Sequence, residues 1–274
     1  RRTLRANGLA YPGDQADHAL LIPLFHEKGA HHGYCRRRGL APTEALRSGR
    51  ELLEDLARLS QTFEGNVLLS SEHFRTFSDT ALEALDAHLA GLGYELHVIC
   101  YVRHPLAAAV SATQQNVKVG NATLAELFAQ PRWHSLIRTL TAPMKSLGHE
   151  RVIVRPYENA RDVGAEKDIL RLVGYGGSLD EIAALRANTS ASATAIWLID
   201  AFHQIRRETP ARPRLRSRLL KLEGPRFALP RSTVEKVLDR GLREVKWMKK
   251  HFAIELQEPR LEGKRRFPPI GLTI

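Results

Sequence analysis

Between Pro42 and Phe63, Leu46, Leu52, Leu53, Leu56 and Leu59 fall on one stripe with arginine and glutamate elsewhere. That spacing predicts an amphipathic helix, closed by Gly65. A different pattern follows. Asn66–Ser70, Leu96–Val102 and Arg151–Pro156 are short apolar runs rich in Val, Ile and Leu. Runs of this kind suit strands covered on both faces, as in a parallel sheet. Between the first two, Thr80 and Glu83 offer a capping box for a helix carrying Leu82, Leu85 and Leu89, closed by Gly91 and Gly93. Strand, helix and strand in succession predict βαβ connectivity, so the fold class read from the chain is α/β.

The remaining elements are predicted more coarsely. Arg1–Asn7 reads as the end of a helix stopped by Gly8, with Leu9–Gly13 as an exit loop. Asp14–Lys28 reads as a helix bearing Leu20, Leu21, Leu24 and Phe25, and Gly29–Gly39 as a loop. Pro105 fits the first turn of a helix, where a missing N–H costs nothing. Thr123 and Glu126 open a short helix, and Trp133–Leu147 forms another that Pro143 kinks or shortens. Ile169–Val173, a long helix opened by Asn188–Ser192, and Ser232–Phe252 complete the helices, with Lys264–Ile274 as an irregular tail.

At 274 residues, 43% hydrophobic and 26% charged, the chain has ample length for a core and is read as one domain, residues 1–274, with a basic helical part from 206 to 274. No apolar run approaches the ~20 residues that span a bilayer. Two cysteines, Cys35 and Cys100, cannot build a disulfide framework, which favours a reducing, cytoplasmic compartment. The net charge of +11 points to anionic partners. His31 and His32 lack a Cys or His partner at zinc-site spacing, so no metal is expected there and the loop with Arg36, Arg37 and Arg38 is read as anion-facing.

Arg103 ends the second apolar run, at the carboxyl edge where open α/β sheets bind ligands. Arg103, Pro105, Ser111 eight residues on and Gln115 twelve residues on resemble the 3′-phosphate-binding segment of sulfotransferases that use 3′-phosphoadenosine 5′-phosphosulfate, PAPS. That family typically has Val-Arg-Asp-Pro here, and His104 stands in place of the Asp. Tyr11-Pro12-Gly13 and the Pro156-Tyr157-Glu158 turn are similar to stretches of bacterial carbohydrate sulfotransferase-like proteins. The resemblance implies a three-layer α/β/α fold of the P-loop-NTPase kind with a central parallel sheet. It implies PAPS as co-substrate without a metal, Arg103 and Ser111 on the 3′-phosphate, and Arg226 in a loop over the nucleotide. The family's Lys-x-Gly-Thr-Thr loop for the 5′-phosphosulfate is not in this sequence. An N-terminally trimmed chain, lacking about twenty residues of strand, loop and helix, is the expectation; a degenerate protein is the alternative.

Sulfuryl transfer, like phosphoryl transfer, needs in-line positioning and charge stabilisation. For the base that takes the acceptor's proton, Glu72 ranks first, His73 second and His18 third. Basic loops at Arg36–Arg38 and Arg206–Lys221 lean towards a carbohydrate acceptor. Two other readings stay open: a non-catalytic or kinase-like nucleotide binder, and a basic nucleic-acid-binding protein. The last is disfavoured by 7% aromatics and the lack of a recognisable RNA- or DNA-binding motif.

Overall fold

The computed structural model describes residues 2–15, 17–182, 190–205 and 213–259. In chain order, α1 (Arg2–Ala6) leads to β1 (Leu9–Ala10), a 3₁₀ turn (Ala19–Leu21) and α2 (Ile22–Phe25). Then come α3 (Gly33–Arg38), α4 (Pro42–Thr62), β2 (Asn66–Val67), α5 (Asp79–Gly91), β3 (Val98–Val102) and α6 (Pro105–Val119). After α7 (Leu124–Ala129) and α8 (Leu136–Leu147) follow β4 (Val152–Pro156), α9 (Tyr157–Val163) and α10 (Ala165–Leu172). The chain continues through α11 (Ala193–Ile205), α12 (Pro213–Leu219) and α13 (Arg231–Phe252). The result is a mixed α/β protein, mostly helical, with two small parallel sheets, β1–β2 and β3–β4. No helix among the described residues is long and apolar enough to cross a membrane.

The chain forms two compact units. The first comprises Arg1–Arg103, His134–Ser190 and Lys250–Ile254; the second comprises His104–Trp133, Ala191–Lys249 and Glu255–Ile274. All four strands lie in the first unit. Its core joins Leu21 and Ile22 to Leu52 and Leu56 of α4 and to Leu82, Leu85 and Leu89 of α5. Here α4 approaches the Ala19–Phe25 segment so closely that a Cβ on Gly49 would lie 2.7 Å from the Leu20 carbonyl oxygen. The second unit gathers Leu106, Ala109 and Val117 of α6, Leu124 and Leu127 of α7, Ile196 and Ile199 of α11, and Val234 and Val237 of α13. Asp200, buried, accepts the Leu124 N–H at 2.9 Å and so satisfies the start of α7 from α11.

Several elements differ from the sequence expectation. Leu9–Ala10 is a strand rather than an exit loop, paired in parallel with Asn66–Val67. The helix expected over Asp14–Lys28 is confined to Ile22–Phe25 after one 3₁₀ turn. Pro23 lacks the N–H that a helix arriving from upstream would need, and the His18 backbone N–H is taken by the Ser70 carbonyl at 2.8 Å. Within the expected loop, Gly33–Arg38 is helical, capped by His32 and ended by Gly39 in the left-handed region (φ +67°). Ser78, not Thr80, caps α5. Pro143 sits inside α8, which instead begins late, at Leu136 behind Ser135. The Thr123–Glu126 capping box forms as read. The expectations for Asn188–Thr189, Arg206–Arg212 and the Lys264–Ile274 tail lie outside the described residues.

Candidate functional site

Strands β3 and β4 run in register, Tyr101 opposite Arg155 and Val102 opposite Pro156. Side chains alternate along a strand, so residues two apart share a face. On one step of this ladder the Tyr101 hydroxyl donates to Asp168 Oδ2 at 2.8 Å, while Arg155 donates Nη2 to Oδ1 at 2.8 Å and Nε to Oδ2 at 3.4 Å. Burial alone would raise the Asp168 carboxyl, but the bonds from Arg155 and Tyr101 outweigh it and hold it below the usual carboxylate range. Burial, reinforced by the Asp168 charge, pushes the Tyr101 phenol up.

Two residues further on, the Arg103 guanidinium carbon lies 3.7 Å from the centre of the Tyr157 ring. Arg103 is half-buried, and no carboxylate among the described residues pairs with it. Its neighbours are different. Arg155 is committed to Asp168, and Arg151 forks onto Asp86 at 2.9 and 3.0 Å. Of the three arginines on these two strands and their ends, only Arg103 keeps a charge that no aspartate neutralises.

In the second unit His104 explains the departure from the Arg-Asp-Pro pattern. Its Nδ1 accepts the Leu106 N–H at 3.2 Å, the capping bond that an aspartate oxygen makes at a helix start. Ser111 is exposed on α6, away from the buried face of Leu106, Ala109, Thr113, Gln114 and Val117. Gln114 rather than Gln115 is the structural glutamine, its Oε1 accepting the Ala191 N–H at 3.0 Å. The backbone of Arg226 bridges Ser192 while its side chain is exposed, and Phe227 beside it is buried.

The three residues considered for the base occupy the first unit in different surroundings. Glu72 is exposed, and its Oε1 lies 3.7 Å from His73 Nε2. Ser71 caps this turn by accepting the His73 N–H at 3.1 Å. His73 is buried, its ring 5.2 Å from Tyr34 and 5.8 Å from His32, which in turn lies 4.6 Å from His26. Burial first, then the nearby cations, lowers the His73 imidazole below its ordinary value, against the pull of Glu72; His32 is lowered likewise. His73 is therefore neutral at pH 7 and able to accept a proton. His18 is fully buried: Nδ1 accepts the Ser70 N–H at 2.8 Å, which puts the ring proton on Nε2, 3.1 Å from the Pro12 carbonyl. Both nitrogens tie backbone segments together, which favours a structural role for His18.

The structure thus brings His73 together with Glu72, His32 and His26, and Arg103 together with Tyr157. No hydrogen bond, ion pair or ring contact among the described residues joins the two groups. The sequence resemblance implied a place near the nucleotide for Tyr157 but not its contact with Arg103; Asp168 as a support of this edge, and His26 as a member of the histidine group, were not read from the sequence. Only the strand register and the packing around His73 reveal them. No group of three or more His, Cys, Asp or Glu side chains among the described residues is placed to hold a metal ion. No family model, curated protein or solved structure matches the chain.

Proposed function

We propose that this protein transfers a sulfuryl group from PAPS to a hydroxyl of a carbohydrate or polysaccharide. In this reading the two parallel strand pairs belong to a three-layer α/β/α fold of the P-loop-NTPase kind. The observation that carries it is the state of Arg103. An arginine at a strand end is ordinarily matched by a carboxylate, and Arg151 and Arg155 are so matched, by Asp86 and by the buried Asp168. Arg103 lies against an aromatic ring with no such partner among the described residues, which suits a guanidinium kept for an incoming phosphate.

Arg103 and Ser111 take the 3′-phosphate and Arg226 the nucleotide. The base is Glu72, with His73 second; His18, whose two ring nitrogens hold backbone groups, keeps its structural role. As the acceptor oxygen bonds to sulfur, its proton passes to the Glu72 carboxylate. The bond from sulfur to the 5′-phosphate oxygen breaks, and 3′,5′-ADP departs. Calorimetry with 3′,5′-ADP tests the donor assignment. Wild type should bind it in preference to ATP, and Arg103→Ala should weaken binding about 10- to 100-fold, the worth of a charge-assisted phosphate contact. Equal affinity for ATP, or an Arg103→Ala variant that binds as wild type does, would remove the reading.

A further inference from the structure

We infer that Tyr157 is the positioning residue for the phosphate-binding arginine: its ring fixes the Arg103 guanidinium so that the N–H edges, not the face, meet the ligand. This rests on the donor reading above and extends it to a residue that touches no reacting atom. At 3.7 Å from the ring centre, the guanidinium carbon is in contact with the face of the Tyr157 ring. A cation held on an aromatic face spends its π surface there. Its five N–H donors lie in the guanidinium plane and stay available for a phosphate's oxygens. The two interactions use perpendicular parts of one group and do not compete.

The next step of the ladder holds the platform in place. Tyr101 and Arg155 face each other across β3 and β4, and Asp168 binds both. Tyr157 opens α9 directly after β4, and Arg103 directly follows β3, so the paired strand ends Val102 and Pro156 deliver the two side chains to each other. A slip of register would break the Asp168 bonds, so the ladder also determines where the Tyr157 ring sits. The same geometry separates the two arginines: Arg155 serves the fold, and Arg103 serves the ligand.

The test is a double-mutant cycle read by calorimetry with 3′,5′-ADP and with 5′-AMP, which lacks the 3′-phosphate. Tyr157→Leu should weaken 3′,5′-ADP about tenfold and leave 5′-AMP unchanged, and Tyr157→Phe, which keeps the ring, should bind within about twofold of wild type. In an Arg103→Ala background, Tyr157→Leu should have no further effect, because its action passes through the arginine. Equal losses in both backgrounds, or loss of 5′-AMP binding, would overturn the inference. So would wild-type affinity in a folded Tyr157→Leu protein. The contact has its own readout: the Arg103 side-chain methylene protons should be shifted upfield by the ring current in wild type and return to ordinary positions in Tyr157→Leu. If that shift is present and 3′,5′-ADP does not bind wild type, the donor reading fails while the stack stands. If the shift is absent, the stack itself is refuted.

Discussion

Glu72 and His73 are adjacent in sequence and opposite in character. One carboxylate is exposed and reachable by a bulky acceptor, and one imidazole is buried and kept neutral. In the proposed reaction, this accessibility favours Glu72 as the base. In sulfuryl transfer from PAPS to a saccharide by a chain extended upstream to include the phosphosulfate loop, Glu72→Gln should lower turnover at least about a hundredfold, the low end of general-base contributions, with nucleotide affinity and circular dichroism unchanged. Full turnover in that variant would pass the role to His73. Residue-scale chemistry was legible where it depends on a short stretch. Arg103 at a strand end is read directly from the apolar run before it. The structure adds that His104 caps the helix in place of Asp, a role not read from the sequence although it needs only the ring's Nδ1 and the helix it precedes. What His18 does was not legible, because its partner Ser70 lies 52 residues away.

Helix α4 shows how an element can be predicted along its length and missed in its contacts. Its leucine stripe announces the buried side, but nothing in that stripe says that Gly49 is the point of closest approach. Gly49→Val should destabilise the protein by about 1–3 kcal/mol, since even its Cβ would meet the Leu20 carbonyl at 2.7 Å and backbone must move. Gly91→Ala is the matched control. A Cβ there meets nothing within 4 Å at the end of α5, so stability should be unchanged or higher by up to ~1 kcal/mol. Urea unfolding of the two variants decides this, and equal midpoints would refute the close approach. The strands divide in the same way. The runs ending at Val102 and Pro156 are visible as strands. Their pairing with each other, and that of Asn66–Val67 with Leu9–Ala10, are not.

Across the whole molecule, charge and burial combine in the response to acid. The folded state holds the His32 and His73 imidazoles below their ordinary value, burial being the first cause. The unfolded chain therefore binds protons more readily, and stability rises with pH wherever that difference operates. Stability should be complete above about pH 6.5, the ordinary histidine value, and decline as pH falls below it through the lowered folded values. Urea midpoints at pH 7.5 and pH 5.0 should show the loss, and His73→Gln should flatten it; a midpoint independent of pH over that range would contradict the buried placement of these rings. The net charge of +11 grows as histidines protonate and adds self-repulsion in the same direction. By itself the sequence determined the helical stripes of α4 and α13, the strand runs, the Thr123–Glu126 cap and the position of an arginine before a helix. Each follows from periodicity or hydrogen-bonding chemistry within about a dozen residues. Tertiary structure alone decided which strands pair, which arginine an aspartate neutralises, and that Tyr157 lies against Arg103. Tyr101 and Asp168 are 67 residues apart. The free energy that joins such groups comes from burial and hydrogen bonds shared between distant segments, which no local window of sequence contains.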